Sequence, residues 1–351
     1  MHLQRRDFLH GILAAPVGAV AGHRSPARFE ASAANGAELQ AFLRHVRPGG
    51  TVVLAPGDFG DVGVFELTVP DVTIRAASPL HSVLRDPLLV GGERATLVDL
   101  AFYDDVEGIF MATHASPAKT AAAARCSDSL TITASDVEVR GCTFGYFPAR
   151  AILVRPGGLR PFITGCSFHS NRNGGASSNA HEAIALGYDN ANSNTRMQAR
   201  VVGNKLWNLN VEGEAICVKT SENLIEGNEL SSSRAAFSNR KGERNLFKDN
   251  ASVGAGGFAI EDRGTRLVAN SVTGGGLFKI LGGNTTADDM RTSSDLHNQA
   301  TDTYLEANRG PLTIGYNYSG MTLPALNTTV VSHSGEIRLA AHKGTQLAGK
   351  T

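Results

Sequence analysis

VVGNKL (201–206) returns as IEGNEL (225–230), and these two stretches decide the fold because they repeat one pattern at the spacing of a single coil. Each reads apolar, any residue, small, Asn, any residue, apolar. Further copies carry Asn or Cys at the fourth position: VRGCTF (139–144), ITGCSF (163–168), FKDNAS (247–252), LVANSV (267–272) and the weaker LVDLAF (97–102). From VRGCTF onward the copies follow one another at similar intervals, except for the much longer step from Cys166 to Asn204, which requires an insertion.

A repeat of this length with short strands and Gly or Asn turns is typical of a solenoid. The leucine spacing of leucine-rich repeats is absent, and so is the helical periodicity that helical repeats need. We therefore predict an all-β fold, a single-stranded parallel β-helix whose coils stack at about 4.8 Å. Asn at a sharp bend can form a ladder of side-chain hydrogen bonds. Cys142 and Cys166 should stack at equivalent positions, as free thiols in preference to a disulfide.

Segments outside the repeat suggest how the solenoid begins and where it is interrupted. GAELQAFL (36–43) predicts a short amphipathic helix that caps the first coil, since an open first coil would be an aggregation edge. The Ala-rich residues 113–127 should lie outside the coils. The polar segment 174–194 falls in the long interval and should project from the solenoid wall. Beyond Gly282 the repeat fades.

The N-terminal residues predict export. Arg5 and Arg6 precede an apolar stretch, residues 11–21, that is too short to span a bilayer. This arrangement is typical of a twin-arginine-type signal peptide over residues 1–22, with a disordered basic tail as the alternative. Residues 23–351 would then form a single β-helix domain, exported to the periplasm or secreted. No other segment is long and apolar enough to be transmembrane.

The overall composition bounds the possible partners. The 351-residue chain has 33 basic and 33 acidic side chains, so its zero net charge gives no sign of nucleic-acid binding, although a local basic cleft could hold a polyanion. None of the four cysteines forms a CxxC pair, which makes a zinc site unexpected. The sequence carries no signal for an oligomeric state.

EGEAICVK (212–219) ends in a lysine, and Arg240 follows that lysine about one repeat later. Period-2 alternation sends Glu212, Glu214 and Ile216 to one side of an unbroken strand. Because a coil brings equivalent positions together, an acid pair, a candidate base and a cation should meet on one surface. The alternative is an exposed salt-bridge cluster, which is common on proteins and weak.

On a β-helix face such a group suggests chemistry on an extended polymer lying along the coils. A lyase that acts on a uronic-acid polymer must neutralise the sugar carboxylate, remove the neighbouring C5 proton and protonate the leaving oxygen. Two carboxylates and a side-chain amide could hold Ca²⁺, which would act as a Lewis acid on the substrate carboxylate. Lys219 could be the base if nearby cations lower its pKa.

GEAICVKTS (213–221) with Asn223 resembles the signature of polysaccharide lyase family 6, which includes alginate lyases and chondroitinase B. That family is built on a right-handed parallel β-helix. Its signature has two Glu separated by one residue, a Lys five positions after the second Glu, and an Arg one coil beyond the Lys. Glu212, Glu214, Lys219 and Arg240 match all four positions. The resemblance covers most of the mature chain and is specific over residues 179–270.

The resemblance implies a role for each matching residue. Lys219 would be the general base, and Arg240 the acid or the group that stabilises the developing charge. Glu212 and Glu214 would be Ca²⁺ ligands. The third ligand in the family is an Asn on the preceding coil, for which Asn179 is the best match. Glu182 and Asn173 are the alternatives for that third position.

Three departures from the family pattern bear on the substrate. Lys241 stands where the family often has His, and Ala259 where it often has Arg. Cys217 and Val218 replace the residues usual before the lysine. Lys241 is a candidate substrate contact. Arg263 could supply the cation that Ala259 lacks, or could be a solvated turn residue.

These features lead to one expected activity with defined alternatives. The resemblance implies a calcium-dependent lyase that cleaves an anionic polysaccharide by β-elimination, with alginate as the first expectation. A dermatan or chondroitin lyase is the second. A mannuronan C5-epimerase would begin with the same proton abstraction. A polysaccharide-binding β-helix without catalysis would have no need of a base and an acid at this spacing.

Overall fold

The structure is a computed structural model that describes residues 30–103, 128–171, 180–188, 195–285, 297–318 and 320–349. The predicted signal peptide lies outside these ranges, as do Asn173, Asn179 and Cys126. The predicted excursion at 113–127 also lies outside the described residues. In the part of the chain that is described, no helix has the length and apolar character needed to cross a membrane.

Three long parallel sheets form the molecule, and the chain visits them in turn with one short strand each. Sheet A has 13 strands: β1 (Glu30–Ala33), β2 (Thr51–Leu54), β5 (Thr73–Ala76), β8 (Thr96–Val98), β11 (Glu138–Arg140), β14 (Phe162–Thr164), β17 (Arg200–Val202), β20 (Leu224–Glu226), β23 (Leu246–Lys248), β26 (Arg266–Val268), β29 (Tyr304–Glu306), β32 (Thr329–Val331) and β35 (Gln346–Ala348). Sheet B has nine strands: β3 (Gly57–Phe59), β6 (Ser82–Leu84), β9 (Ala101–Tyr103), β12 (Thr143–Gly145), β15 (Ser167–His169), β18 (Lys205–Trp207), β21 (Glu229–Ser231), β24 (Ala251–Val253) and β27 (Ser271–Thr273).

Sheet C carries most of the candidate site residues. It has 11 strands: β4 (Phe65–Leu67), β7 (Leu88–Val90), β10 (Leu130–Ile132), β13 (Ile152–Val154), β16 (Ile184–Leu186), β19 (Glu214–Val218), β22 (Ala236–Asn239), β25 (Gly257–Ile260), β28 (Leu277–Leu281), β30 (Leu312–Tyr316) and β33 (Ile337–Leu339). A two-stranded sheet pairs β31 (Ala325–Leu326) with β34 (His342–Lys343). The predicted right-handed parallel β-helix is confirmed.

The core consists of ladders in which equivalent side chains of successive coils stack inside the solenoid. In sheet C the inward column joins Ile184, Ile216, Phe237 and Phe258, all fully buried. Sheet B adds a stack of three phenylalanine rings, with Phe144 at its centre and centroid spacings of 4.6 and 5.0 Å. Removing this apolar surface from water stabilises the fold by about 25 cal/mol per Å².

The Asn of the repeat forms a buried ladder at the bend between sheets A and B. Each side-chain amide donates to the Oδ1 of the next Asn at 2.9–3.0 Å, through Asn204, Asn228, Asn250, Asn270 and Asn308. The residue before the Asn adopts a left-handed φ, 65° at Gly203 and 63° at Gly227, which explains the small residue in the pattern. Cys142 and Cys166 extend the ladder as free thiols, as predicted.

A single helix within the described residues, α1 (Gly36–His45), closes the N-terminal end. It begins at Asn35, whose side chain accepts a hydrogen bond from the backbone N–H of Glu38. The helix buries Leu39 and Leu43 against the first strands of the three sheets. The predicted cap is therefore confirmed, and it covers the apolar end of the first coil.

One expectation about the course of the chain needs correction. The segment 174–194 was expected to project from the wall, but β16 lies within it and fills sheet C between β13 and β19. The apolar residues 183–186 are fully buried there, and they supply the strand that sheet C has between β13 and β19. The coils also continue past Gly282, through β29, β32 and β35, and the Asn ladder resumes at Asn308 after a second long step.

Candidate functional site

A β-bulge in β19 turns the side chain of Glu214 outward. Glu214 pairs with Ala236 while Ile216 pairs with the very next residue, Phe237, so Ala215 is the extra residue. The extra residue reverses the alternation of the strand. Ile216 therefore enters the core, whereas Glu214 accepts a 2.7 Å hydrogen bond from the outward hydroxyl of Ser238. Glu214 and Ile216 were expected to share one side only of an unbroken strand, and the bulge breaks this strand between them.

Lys219 and Arg240 occupy neighbouring positions on adjacent coils. Val218 pairs with Asn239, so the residue after each strand lies next to its counterpart. The backbone N–H of Arg240 also donates to the carbonyl of Val218 at 2.9 Å. The prediction that Arg240 follows Lys219 by one coil is confirmed. Both side chains keep some contact with solvent, 15% exposed for Lys219 and 27% for Arg240.

Acidic side chains hold both cations in place. Lys219 Nζ lies 3.5 Å from Glu182 Oε1, and Arg240 Nη1 lies 3.8 Å from Glu214 Oε2. Each carboxylate lies one coil before the cation that it contacts. The two ion pairs therefore connect three consecutive coils. Such an arrangement orders the ends of two long, flexible side chains at the surface of sheet C.

Sequence reasoning missed two buried members of the site, Asp128 and Arg150. Arg150 Nη1 lies 3.2 Å from Asp128 Oδ1, and Arg150 Nε lies 3.1 Å from Glu182 Oε2. A signal for them exists in the sequence. DSL (128–130), RAI (150–152), EAI (182–184) and EAI (214–216) each place a charged residue two positions before an inward apolar residue of sheet C. Asp128, Arg150 and Glu182 thus form one column that leads to Glu214.

The carboxylates of Glu182 and Glu214 lie close enough to Glu212 to disfavour its charge. Burial, followed by repulsion from Glu182 and Glu214, raises the pKa of Glu212 to about 7. Ligand atoms of Glu182, Glu214 and Cys217 all lie within 4.8 Å of one another. Glu182, an alternative candidate for the third ligand, therefore lies beside Glu214. Asn179, the first candidate for that position, lies outside the described residues.

This group could hold a metal ion, and its donors favour a hard cation. Carboxylate oxygens are the ligands that such cations prefer, and a bound cation would relieve the repulsion that raises the pKa of Glu212. Burial raises the pKa of the Cys217 thiol well above its usual value, so the sulfur remains protonated and is a poor ligand. The oxygen donors therefore fit a hard cation better than a soft one.

The electrostatic state of Lys219 differs from the sequence expectation. The sequence made its role as a base conditional on a pKa lowered by nearby cations, but Cys217, Glu182 and Glu214 raise the pKa of Lys219, against the opposing effects of burial and Arg150. Lys219 is thus an ammonium group while its acidic neighbours are ionised. Burial opposes the charge of Arg240, but Glu214 and Glu261 outweigh it and raise its pKa.

The two candidate substrate contacts lie in different surroundings. Lys241 is only 1% exposed, and its Nζ has no hydrogen-bond partner within the described residues. Burial, followed by the charge of Arg240, lowers the pKa of Lys241 to about 8. Arg263 is 42% exposed and lies 3.6 Å from Glu243, as a residue at a turn would. Contact of either residue with a substrate stays a prediction.

Aromatic residues flank the charged centre along the solenoid. On the side of the preceding coils, the ring of Tyr188 faces the guanidinium groups of Arg150 and Arg155 at 5.2 and 5.1 Å. Beyond Arg240, the buried carboxylate of Glu261 lies 2.9 Å from His297 Nδ1, and the His297 ring packs near that of Tyr318. Exposed rings of this kind can pack against the apolar faces of sugar rings.

Solved structures similar to this chain share its solenoid. An alginate lyase of polysaccharide lyase family 6, solved in complex with a trisaccharide, is 16% identical over 92% of this chain and 84% of that one, with a TM-score of 0.67. The alginate lyase AlyF-OU02, solved with G6, is 16% identical over 93% of this chain and 85% of that one, with a TM-score of 0.68.

A third similar structure is a mannuronic acid specific family 6 lyase from human gut microbiota. It is 16% identical over 89% of this chain and 82% of that one, with a TM-score of 0.62. No family model and no curated protein matches the chain. At these identities the likeness establishes a common fold, and the structural neighbours are family 6 alginate lyases.

Proposed function

We propose that the protein is a polysaccharide lyase of family 6 that cleaves a uronic-acid polymer, with alginate as the first substrate to test. The observation that carries the proposal is the pairing of Lys219 and Arg240 on adjacent coils, beside the acids Glu182 and Glu214. The fold shared with family 6 alginate lyases supports it.

In the proposed reaction, Lys219 takes the C5 proton of the uronate on which the elimination occurs. The C–H electron pair becomes the C4–C5 double bond, and the C4–O bond breaks with its electrons on the leaving glycosidic oxygen. Arg240 donates hydrogen bonds to that oxygen and stabilises its charge. The raised pKa of Arg240 favours stabilisation over full proton transfer. The proton gained by Lys219 is available to neutralise the product oxygen.

Ca²⁺ is the cation we propose for the carboxylate group. Held by Glu182, Glu214 and Glu212, it would supply positive charge that neutralises those carboxylates and the carboxylate of the substrate. Lys219 must lose its proton to act as a base, and the acids that now raise its pKa oppose this. Neutralising them removes two of the influences that raise the pKa of Lys219 and leaves Cys217 opposed by burial and Arg150.

The test is to incubate the protein with alginate and calcium and to follow the ultraviolet absorbance of the unsaturated uronate. We expect the absorbance to rise, and Lys219→Ala to abolish the rise with the circular dichroism spectrum unchanged. Lys248→Ala is the matched control, because that lysine is also paired with a glutamate, at 2.7 Å, but lies on sheet A. Full activity of Lys219→Ala would exclude it as the base.

Other outcomes identify the alternatives. A changed uronate epimer ratio by NMR without a rise in absorbance would indicate a C5-epimerase. A rise only with dermatan or chondroitin would indicate a glycosaminoglycan lyase, and binding without any reaction would indicate a binding protein. Activity that survives thorough chelation would remove calcium from the mechanism.

We also propose that residues 1–22 direct export through the twin-arginine route. The support is the Arg5-Arg6 pair followed by a short apolar stretch. Mass spectrometry of the exported protein should show cleavage near Ala21. An intact N-terminus on a protein retained in the cytoplasm would contradict export.

A further inference from the structure

Lys279 belongs to the same outward column of sheet C as the centre of the site. Strand register aligns Cys217 with Ser238, Ser238 with Ala259 and Ala259 with Lys279. Lys279 therefore lies two coils beyond Ser238, about 10 Å along the solenoid at the usual strand spacing. Ala259 has no side chain beyond Cβ, so the surface between Ser238 and Lys279 carries no large side chain in this column.

Two tyrosine rings surround the amine of Lys279. Its Nζ lies 5.3 Å from the centroid of the Tyr316 ring and 6.0 Å from that of Tyr318. The rings meet edge to face, with centroids 5.4 Å apart. Contacts of this kind hold an ammonium group in a defined position while leaving its charge unneutralised.

A second bulge places these tyrosines on the outer face. Ile280 pairs with Ile314, but Leu281 pairs with Tyr316, so Gly315 is the extra residue. As at Ala215, the extra residue reverses the alternation of the strand, and here it is the following side chain, Tyr316, that faces outward. Gly315 has a φ of 77°, and a Cβ at that position would collide with the carbonyl of Ala341. Only glycine fits this bulge, which therefore depends on the backbone of the next coil.

The amine of Lys279 forms no ion pair with any acid in the described part of the chain, in contrast to Lys219 and Arg240. Burial alone lowers the pKa of Lys279, and no carboxylate opposes that effect. The charge of Glu261 also acts on Tyr318: burial, followed by that charge, raises the pKa of Tyr318 to about 12. The cation is thus half-buried, fixed by aromatic rings and available to an external anion.

We propose that Lys279, Tyr316 and Tyr318 form a sugar subsite that binds the carboxylate of a uronate two coils from the reacting centre. This inference rests on the proposed function, because it takes the same polymer to lie along sheet C. An extended pyranose unit spans roughly one coil, so successive sugars meet successive coils. The Lys279 ammonium binds the carboxylate, and the exposed ring of Tyr318 packs against the sugar face.

Binding of a hexauronate tests the subsite separately from catalysis. Isothermal titration calorimetry uses the full chain carrying Lys219→Ala, with mass spectrometry to confirm that the ligand stays intact. We expect Lys279→Met to weaken binding about tenfold or more, and Lys279→Arg to retain most of it. A carboxyl-reduced hexasaccharide should bind equally to all three proteins, since it has no charge for the lysine to meet.

Lys248→Met is the matched control, because Lys248 is also a lysine at the surface but lies on sheet A, away from this column. It should leave hexauronate binding unchanged. In the protein with Lys219 intact, Lys279→Met should raise KM for the polymer and leave kcat nearly unaltered. Unchanged hexauronate affinity of Lys279→Met overturns the subsite, and so does a wild-type protein that binds no hexauronate. Binding that depends on Lys279 without cleavage of any uronan supports the subsite and refutes the lyase proposal.

Discussion

Lys241→Met should stabilise the protein, although it removes a charged residue beside the site. The amine is buried and has no hydrogen-bond partner within the described residues, and its pKa falls to about 8. In the unfolded chain a lysine has a pKa of about 10.4. Each unit of difference corresponds to about 1.4 kcal/mol, so keeping Lys241 protonated at pH 7 costs the folded state about 3 kcal/mol.

The sign of the effect follows from proton binding. Between pH 8 and pH 10.4 the unfolded chain binds a proton that folded Lys241 has lost, so this lysine makes stability rise with pH. Its cost is complete below pH 8 and disappears above pH 10.4. Methionine has a similar length and no charge, so it should occupy the same space without that cost.

Urea denaturation followed by circular dichroism, at pH 7 and again near pH 10, measures the difference between variant and wild type. We expect Lys241→Met to gain about 3 kcal/mol at pH 7 and much less near pH 10. Lys248→Met is the control, because that amine lies at the surface beside Glu226, and it should change little at either pH. A variant less stable than wild type at pH 7, or a gain independent of pH, would contradict this account of Lys241. Loss of activity in the stabilised variant would indicate that Lys241 is retained for function.

The ladder, the carboxylates and the second bulge give three further predictions. Asn228→Ala should lower the free energy of unfolding by about 1–3 kcal/mol, because it leaves a buried N–H of Asn204 unpaired, and an unchanged urea midpoint would contradict this. Glu212 carries a proton below about pH 7, so calcium affinity measured by titration calorimetry should fall as pH drops from 8 to 6. In Glu212→Gln the fall should be smaller, and an equal fall would remove Glu212 from the site. Gly315→Ala should lower the thermal midpoint and weaken hexauronate binding together, whereas Gly213→Ala, which meets open space, should leave the thermal midpoint unchanged.

Much of the fold could be read from the sequence because a solenoid repeats its local physics in every coil. The bend between sheets A and B requires a residue with a left-handed φ, followed by a side chain that can continue a hydrogen-bonded ladder. The Gly-Asn pair supplies both. That pattern sets the coil length, and the coil length makes Lys219 and Arg240 neighbours. The repeat was not readable through 174–194, where the apolar run of β16 stands among polar residues and carries no Asn of the ladder.

Local pattern was sufficient for the solenoid, the capping helix and the meeting of the lysine and arginine on adjacent coils. The direction in which the acids face depends on contacts between coils, because the bulge at Ala215 arises from pairing with Ala236 and Phe237 of the next coil. The pairing of strands from coils of unequal length also places Asp128 and Arg150 at the site. The state of each charge depends on burial and on neighbours from other coils, and no local pattern records these. The sequence therefore names the candidate reacting groups, and the stacking of coils sets their protonation and direction.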